Sequence, residues 1–170
     1  MQNKFKQLTG LAALEGQWLR RRHFDETLLA QVAERIKQGE ADHSGELMVA
    51  IEAIMPSHEQ DAQLRALEVF GRLRVWDTPL NSGVLLYLAL DKRAIEIIAD
   101  RGLAVSNAQW HQICKNLQAA LAKGDYVAGL LTAVDDILAI LKTQAPSGEH
   151  TQAESGEHIS NVLPNEPVLL

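Results

Sequence analysis

The stretch NSGVLLYLALDKRAIEIIADRG, residues 81–102, decides the fold. Gly83 to Leu90 is an unbroken apolar run, the longest in the chain. A run of that kind reads as a strand covered on both faces. It is far short of the roughly 20 residues that cross a bilayer. Asp91-Lys92 interrupts it, and AIEIIA at 94–99 follows at once. So close a return predicts a hairpin. Asn81-Ser82 before the pair and Arg101-Gly102 after it carry turn chemistry.

Upstream, Thr78-Pro79 breaks the chain. Residues 60–74 read as a helix whose stripe is Leu64, Leu67, Phe70, Gly71 and Arg74. Before it, LMVAIEAI at 47–54 puts Leu47, Val49, Ile51 and Ala53 on one face of a strand, closed by Pro56-Ser57. Asp25 is the expected N-cap of an earlier helix, with Phe24 placed to staple against Leu29. Leu28, Leu29, Val32, Ala33 and Ile36 give that helix an apolar side, and Gly39 ends it. Residues 1–24 form a helical lead-in, with Leu11, Leu14 and Trp18 at helical spacing before Arg20–Arg22.

Downstream, Ser106 and Gln109 form a capping box. The helix they open carries Trp110, Ile113, Cys114, Leu117 and Leu121 on one side, and Gly124 stops it. A last helix runs through Val127, Leu130, Leu131, Val134, Ile137, Leu138 and Leu141, with Pro146 beyond its end. Residues 145–170 are an acidic tail in which SGEH occurs at 147–150 and again at 155–158. Its closing VLPNEPVLL is apolar enough to dock as an edge strand or to bind a partner, and is expected to be a loose end. Strand, crossover helix and strand imply a parallel pair, and the hairpin adds an antiparallel neighbour. The expected fold is α/β, a small three-layer α/β/α sandwich on a mixed sheet, spanning residues 25–144.

The 170 residues carry 16 Lys+Arg against 22 Asp+Glu, a net charge of −6. Glu149, Glu154, Glu157 and Glu166 lie in the tail, which has no Lys or Arg. This balance argues against a nucleic-acid partner. The single cysteine, Cys114, excludes an internal disulfide, and with His43, His58 and His111 scattered, no zinc motif can be written. Nucleotide, dinucleotide and serine-hydrolase motifs are missing. A cysteine phosphatase needs an arginine six residues after its thiol, where this chain has Ala120. After Arg22-His23, Phe24 stands where a histidine phosphatase has glycine. Arg20–Arg22 alone reads as a solvated helix end, since lipid attachment takes a second signal. With no signal peptide or membrane span in view, a soluble, cytoplasmic chain is expected.

Several segments together resemble the TPM domain family. SGELMV at 44–49 is similar to the start of its first strand, and RALEVFGRLRVWDT at 65–78 to its crossover helix and exit. Residues 81–102 resemble its most recognisable stretch: Asn-x-Gly, an apolar strand, an Asp-x-Arg turn, a second strand and a Gly. Trp110 and GDYVAG at 124–129 match its closing helices. The family includes a thylakoid-lumen protein of photosystem II repair, an animal acetylcholine-receptor modulator and many bacterial proteins. The resemblance implies an α/β/α fold, binding of a divalent cation, calcium above all, and weak acid phosphatase activity. Most members are exported or membrane-anchored, whereas no export signal or span is in view in this sequence. It also has Asp100-Arg101-Gly102 where many members have a Gly-rich turn.

In a hairpin the start of one strand and the end of the next share an edge. Asn81 stands at that start and Asp100 at that end. Glu46 joins them if the first two strands are parallel, and Asp77 lies four residues before Asn81. Carboxylate and amide oxygens gathered from loops suit a hard cation, Ca²⁺ or Mg²⁺. The same residue types at strand ends are also turn formers. Arg101 is a candidate phosphate contact. Asp91 and Arg93, at the opposite edge, are expected to hold the turn by an ion pair. No nucleophile–base or acid–base pair stands at a working spacing, so catalytic residues are unassigned. The expectation is an accessory or interaction protein, with a protein partner at its tail or around Trp76. The alternative is a metal-dependent acid phosphatase of phosphate monoesters, its cation on Asp77, Asn81 and Asp100 polarising a phosphoryl oxygen.

Overall fold

A computed structural model describes residues 11–145 and 163–170. The elements in order are α1 (Leu11–His23), α2 (Glu26–Glu40), β1 (Glu46–Glu52), α3 (Ala62–Arg72), β2 (Gly83–Ala89), β3 (Ala94–Ala99), α4 (Asn107–Lys123), α5 (Tyr126–Gln144) and β4 (Val168–Leu169). The sheet order is β3-β2-β1-β4. β1 and β2 are parallel, from Glu46 opposite Gly83 to Glu52 opposite Ala89, and β3 returns antiparallel to β2. The mixed sheet and the hairpin are as expected.

β1 and β2 are buried at every position. Leu47, Val49 and Ile51 of β1 join Val84, Leu86 and Leu88 of β2 on one face, under α2, α4 and α5. Met48 and Ala50 join Leu85, Tyr87 and Ala89 on the other, under Ala66 and Val69 of α3. A layer of three helices therefore opposes a layer of one. Local signals set several boundaries: the Asp25 carboxylate accepts the Leu28 N–H at 2.9 Å, and Gly124 closes α4 with φ +88°.

Three expectations need correction. On α3 the stripe of Leu64, Leu67, Gly71 and Arg74 is the outer side, with Leu64 54% and Leu67 48% exposed. The helix instead buries Arg65, Ala66 and Val69, with Phe70 alone of the expected stripe packed inward beside them, an orientation in which Arg65 reaches Glu52. On α1, Leu11, Leu14 and Trp18 likewise point outward. Ala12, Gly16 and Leu19 are its buried side. A Cβ on Gly16 would stand 2.0 Å from the Ala53 carbonyl oxygen, so only glycine permits this approach to the end of β1.

The third correction concerns the end of the tail. Val168 and Leu169 pair in parallel with Ala50 and Ile51, and Leu163 is buried. The expected loose end is thus an edge strand, drawn in because the bare edge of β1 offers unpaired backbone beside apolar surface. The repeated SGEH at 147–150 and 155–158 lies outside the described residues.

Candidate functional site

The parallel pairing places Glu46, Asn81 and Asp100 at one edge of the sheet, where the site was expected. Asp100 donates its backbone N–H to the Gly83 carbonyl at 2.9 Å, and Gly102 donates to the Asn81 carbonyl at 2.9 Å. Asn81 has a left-handed backbone, φ +51°, which Asn tolerates better than most residues. A Cβ on Gly102 would fall 2.2 Å from the Leu80 carbonyl oxygen, so the turn after β3 packs backbone against backbone.

Asn81, Asp100 and Arg101 are brought together. Asp100 Oδ1 accepts the Arg101 N–H at 2.7 Å, and Arg101 Nη2 lies 3.5 Å from Asn81 Oδ1. Asp100 Oδ2 is buried and accepts no hydrogen bond from the described residues. Glu46 and Asp77 stand apart from this group. Strand β2 lies between them, so two interstrand spacings, about 10 Å, separate Glu46 from Asp100. The Glu46 carboxylate turns the other way and accepts the Leu163 N–H at 2.6 Å, holding the C-terminal segment. Asp77 is exposed, and its backbone N–H donates to the Arg74 carbonyl at 2.9 Å. Among the described residues, no three His, Cys, Asp or Glu side chains gather closely enough to hold a metal.

Beside Glu46 the same edge carries further buried polar groups. Glu40 Oε1 accepts the Leu47 N–H at 2.8 Å, while its Oε2 is buried and accepts no hydrogen bond from the described residues. Burial, helped by the nearby Glu46 charge, pushes the Glu40 carboxyl up to about 8. His43 is buried, and burial lowers its pKa. Ser44 donates from its backbone and hydroxyl to the Ala145 carbonyl, at 2.9 and 3.0 Å. Ser82 Oγ donates to the Ser44 carbonyl at 2.9 Å. The small polar residues of SGE and NSG therefore stitch α5, β1 and β2 together.

At the opposite edge the expected ion pair inside the hairpin turn does not form. Asp91 accepts the Met55 N–H at 3.2 Å, tying the turn to the loop after β1. Arg93 instead pairs with Glu15 of α1. Each charge finds the nearer neighbouring element, because a tight turn points the two side chains apart. The same end of β1 holds a buried group. Glu52 accepts from Arg65 Nη2 at 2.7 Å and Nε at 3.0 Å, and from the Tyr87 hydroxyl. Arg65 also meets Glu68 at 2.9 Å, and Glu68 meets His58 at 3.1 Å. Cys114 is half-buried, and burial raises its thiol to about 11, so it is not an activated nucleophile.

The family described as the TPM domain matches residues 22–140. No curated protein matches the chain. Among solved structures, the chain is similar to the BA42 protein from the psychrophilic bacterium Bizionia argentinensis, with 24% identity and a TM-score of 0.71, over 86% of this chain and 94% of that one. It is also similar to the N-terminal domain of a P. gingivalis protein, with 17% identity and a TM-score of 0.61, over 76% and 84%. For the N-terminal domain of the cg2496 protein from Corynebacterium glutamicum the values are 12% and 0.55, over 79% and 82%. At these identities the likeness concerns the fold. Among the described residues no helix is long and apolar enough to cross a membrane.

Proposed function

Because the chain belongs to the TPM domain family, we propose that it is an accessory binding module that receives a helix of a protein partner on the outer side of α3. The observation that carries this reading is the outward stripe itself. Leu64 and Leu67 are about half exposed, and Trp76 and Leu80, in the exit from the helix, are 49% and 55% exposed. Gly71 continues the stripe, and a Cβ built there meets nothing within 4 Å. Two leucines beside a bare glycine suit close approach of an amphipathic helix. The test compares wild type with Leu67→Glu as bait in cell extract. A partner held by the first and released by the second supports the reading, and equal retention overturns it.

A second reading has its own observation, the buried Oδ2 of Asp100, which accepts no hydrogen bond from the described residues. A hard cation, Ca²⁺ or Mg²⁺, taken there by Asp100 with Asn81 would satisfy that oxygen. Arg101, within reach of Asn81, opposes the cation and would favour a bound phosphate beside it. Weak phosphomonoester hydrolysis would follow from the metal polarising a phosphoryl oxygen. Thermal unfolding with millimolar calcium against a chelator tests this. At about 100 times the dissociation constant the native state gains roughly 2.7 kcal/mol, or about 5–10 °C in midpoint. The shift should vanish in Asp100→Asn, together with release of phosphate from a generic ester. No shift in wild type overturns the reading.

A further inference from the structure

Helix α1 lies on the protein by its small side and turns its large apolar side away. Leu11, Leu14 and Trp18 are 50%, 66% and 54% exposed, opposite the buried Ala12, Gly16 and Leu19. Hydrophobic burial within one domain would set the reverse orientation. Arg21 and Arg22 follow Trp18 at three- and four-residue steps, so they extend the same outward line. The Arg22 guanidinium lies 5.3 Å from the centre of the Trp18 ring. Arg20 and Arg21, with Gln17, line a cavity of about 180 Å³ whose other walls are Ala53, Ile54 and Leu170. None of the three arginines is ion-paired among the described residues, although Glu15 on the same helix is taken by Arg93. Charge is also concentrated here. Residues 11–23 hold Arg20–Arg22 against the single acid Glu15, in a chain of net charge −6.

We propose that α1 is an interfacial helix that docks this protein on an anionic phospholipid surface. Leu11, Leu14 and Trp18 enter the acyl boundary, and the exposed Arg21 and Arg22 meet the lipid phosphates. An apolar face supplies one attachment signal and a basic run the second, which together suffice where either alone is marginal. The pairing of tryptophan with arginine suits the headgroup level, where the indole is half apolar and the cation stays wet. A nucleic acid has no use for Leu11 and Leu14 beside the arginines. Self-association through this face would bring two like-charged arginine runs onto one interface.

Co-sedimentation of the full chain with vesicles tests the proposal. Vesicles of equal parts phosphatidylglycerol and phosphatidylcholine should carry the protein down, and phosphatidylcholine alone should not. Leu14→Glu should abolish binding, and Arg21→Gln with Arg22→Gln should weaken it about 30-fold, since each basic residue near an anionic surface contributes about a factor of 5. All three positions are exposed, so both variants should keep the wild-type unfolding midpoint. Inorganic phosphate at millimolar concentration should not release the protein. Release by phosphate would reassign the arginines to a soluble anion and overturn the proposal. So would unchanged binding by Leu14→Glu, no binding by wild type, or a wild-type dimer in sedimentation velocity that Leu14→Glu dissolves without any vesicle binding.

Discussion

Glu52 and Arg65 are charges inside a largely apolar core, each only 4% exposed. Their two hydrogen bonds and the Tyr87 hydroxyl offset the desolvation of both. Removing one partner strands the other. Arg65→Met should therefore cost about 3–5 kcal/mol in urea unfolding, and Glu52→Leu combined with Arg65→Met should recover most of the loss. Glu40 offers a second test. Its folded pKa, about 8, lies above the ordinary 4.5, so between those values the folded protein keeps a proton that the unfolded chain releases. Stability is thus lost as pH rises from 4.5 to 8, on the order of 3 kcal/mol by pH 7. Glu40→Gln should match wild type near pH 4.5 and exceed it at pH 7–8. A parallel pair of stability–pH curves would disprove the assignment. Neither group was legible beforehand. Glu52 sits in LMVAIEAI at a position that alternation assigns to the wet face, and burial of that face made it a paired charge. Glu40 lies one residue past Gly39, where the helix is expected to end.

At the scale of elements, α1 and α3 show the same inversion. Each turns leucines picked out by apolar spacing toward the outside and buries a neighbouring side, Ala12, Gly16 and Leu19 on α1 and Arg65, Ala66 and Val69 with the partly buried Phe70 on α3. Apolar spacing identifies a stripe on a helix but not whether that stripe meets the sheet. Closeness to the sheet decides the matter: Gly16 admits the Ala53 carbonyl, and Ala66 and Val69 let Arg65 reach Glu52. Substitutions on the two sides of α3 should differ accordingly. Leu64→Gln and Leu67→Gln should each change stability by less than about 0.5 kcal/mol. Ala66→Leu, at a fully buried position, should cost about 1–3 kcal/mol by overpacking. Equal effects from chemical denaturation on both sides would refute this orientation. Helices α2, α4 and α5 bury most of the stripe that their spacing predicts, with Val127 at the start of α5 left exposed. Each meets the broad face of the sheet with its large residues, so their periodicity and burial coincide.

For the whole molecule, the C-terminal segment completes the sheet. Leu163 fills a place on the α3 side, its N–H donates to Glu46, and the Leu170 N–H donates to the Ile51 carbonyl at 3.0 Å. This docking closes an edge of β1 that would otherwise be a template for another strand. Leu163→Asp should release β4. In hydrogen exchange the Leu170 amide should lose protection, while the β2 amides keep theirs. Equal loss in both strands would mean that the segment unfolds only with the rest of the molecule.

The sequence by itself determined the class of fold, the hairpin, the parallel pair and the edge that gathers Asn81, Asp100 and Arg101. Those features follow from local chemistry: continuous apolarity, turn residues and chain order act over a few residues at a time. Tertiary structure alone decided which sides of α1 and α3 face inward, that Glu46 holds Leu163, that Arg93 takes Glu15, and that the last residues form β4. These depend on contacts between segments far apart in the chain, where space between the layers and competition among partners select one option from several that local pattern leaves equal.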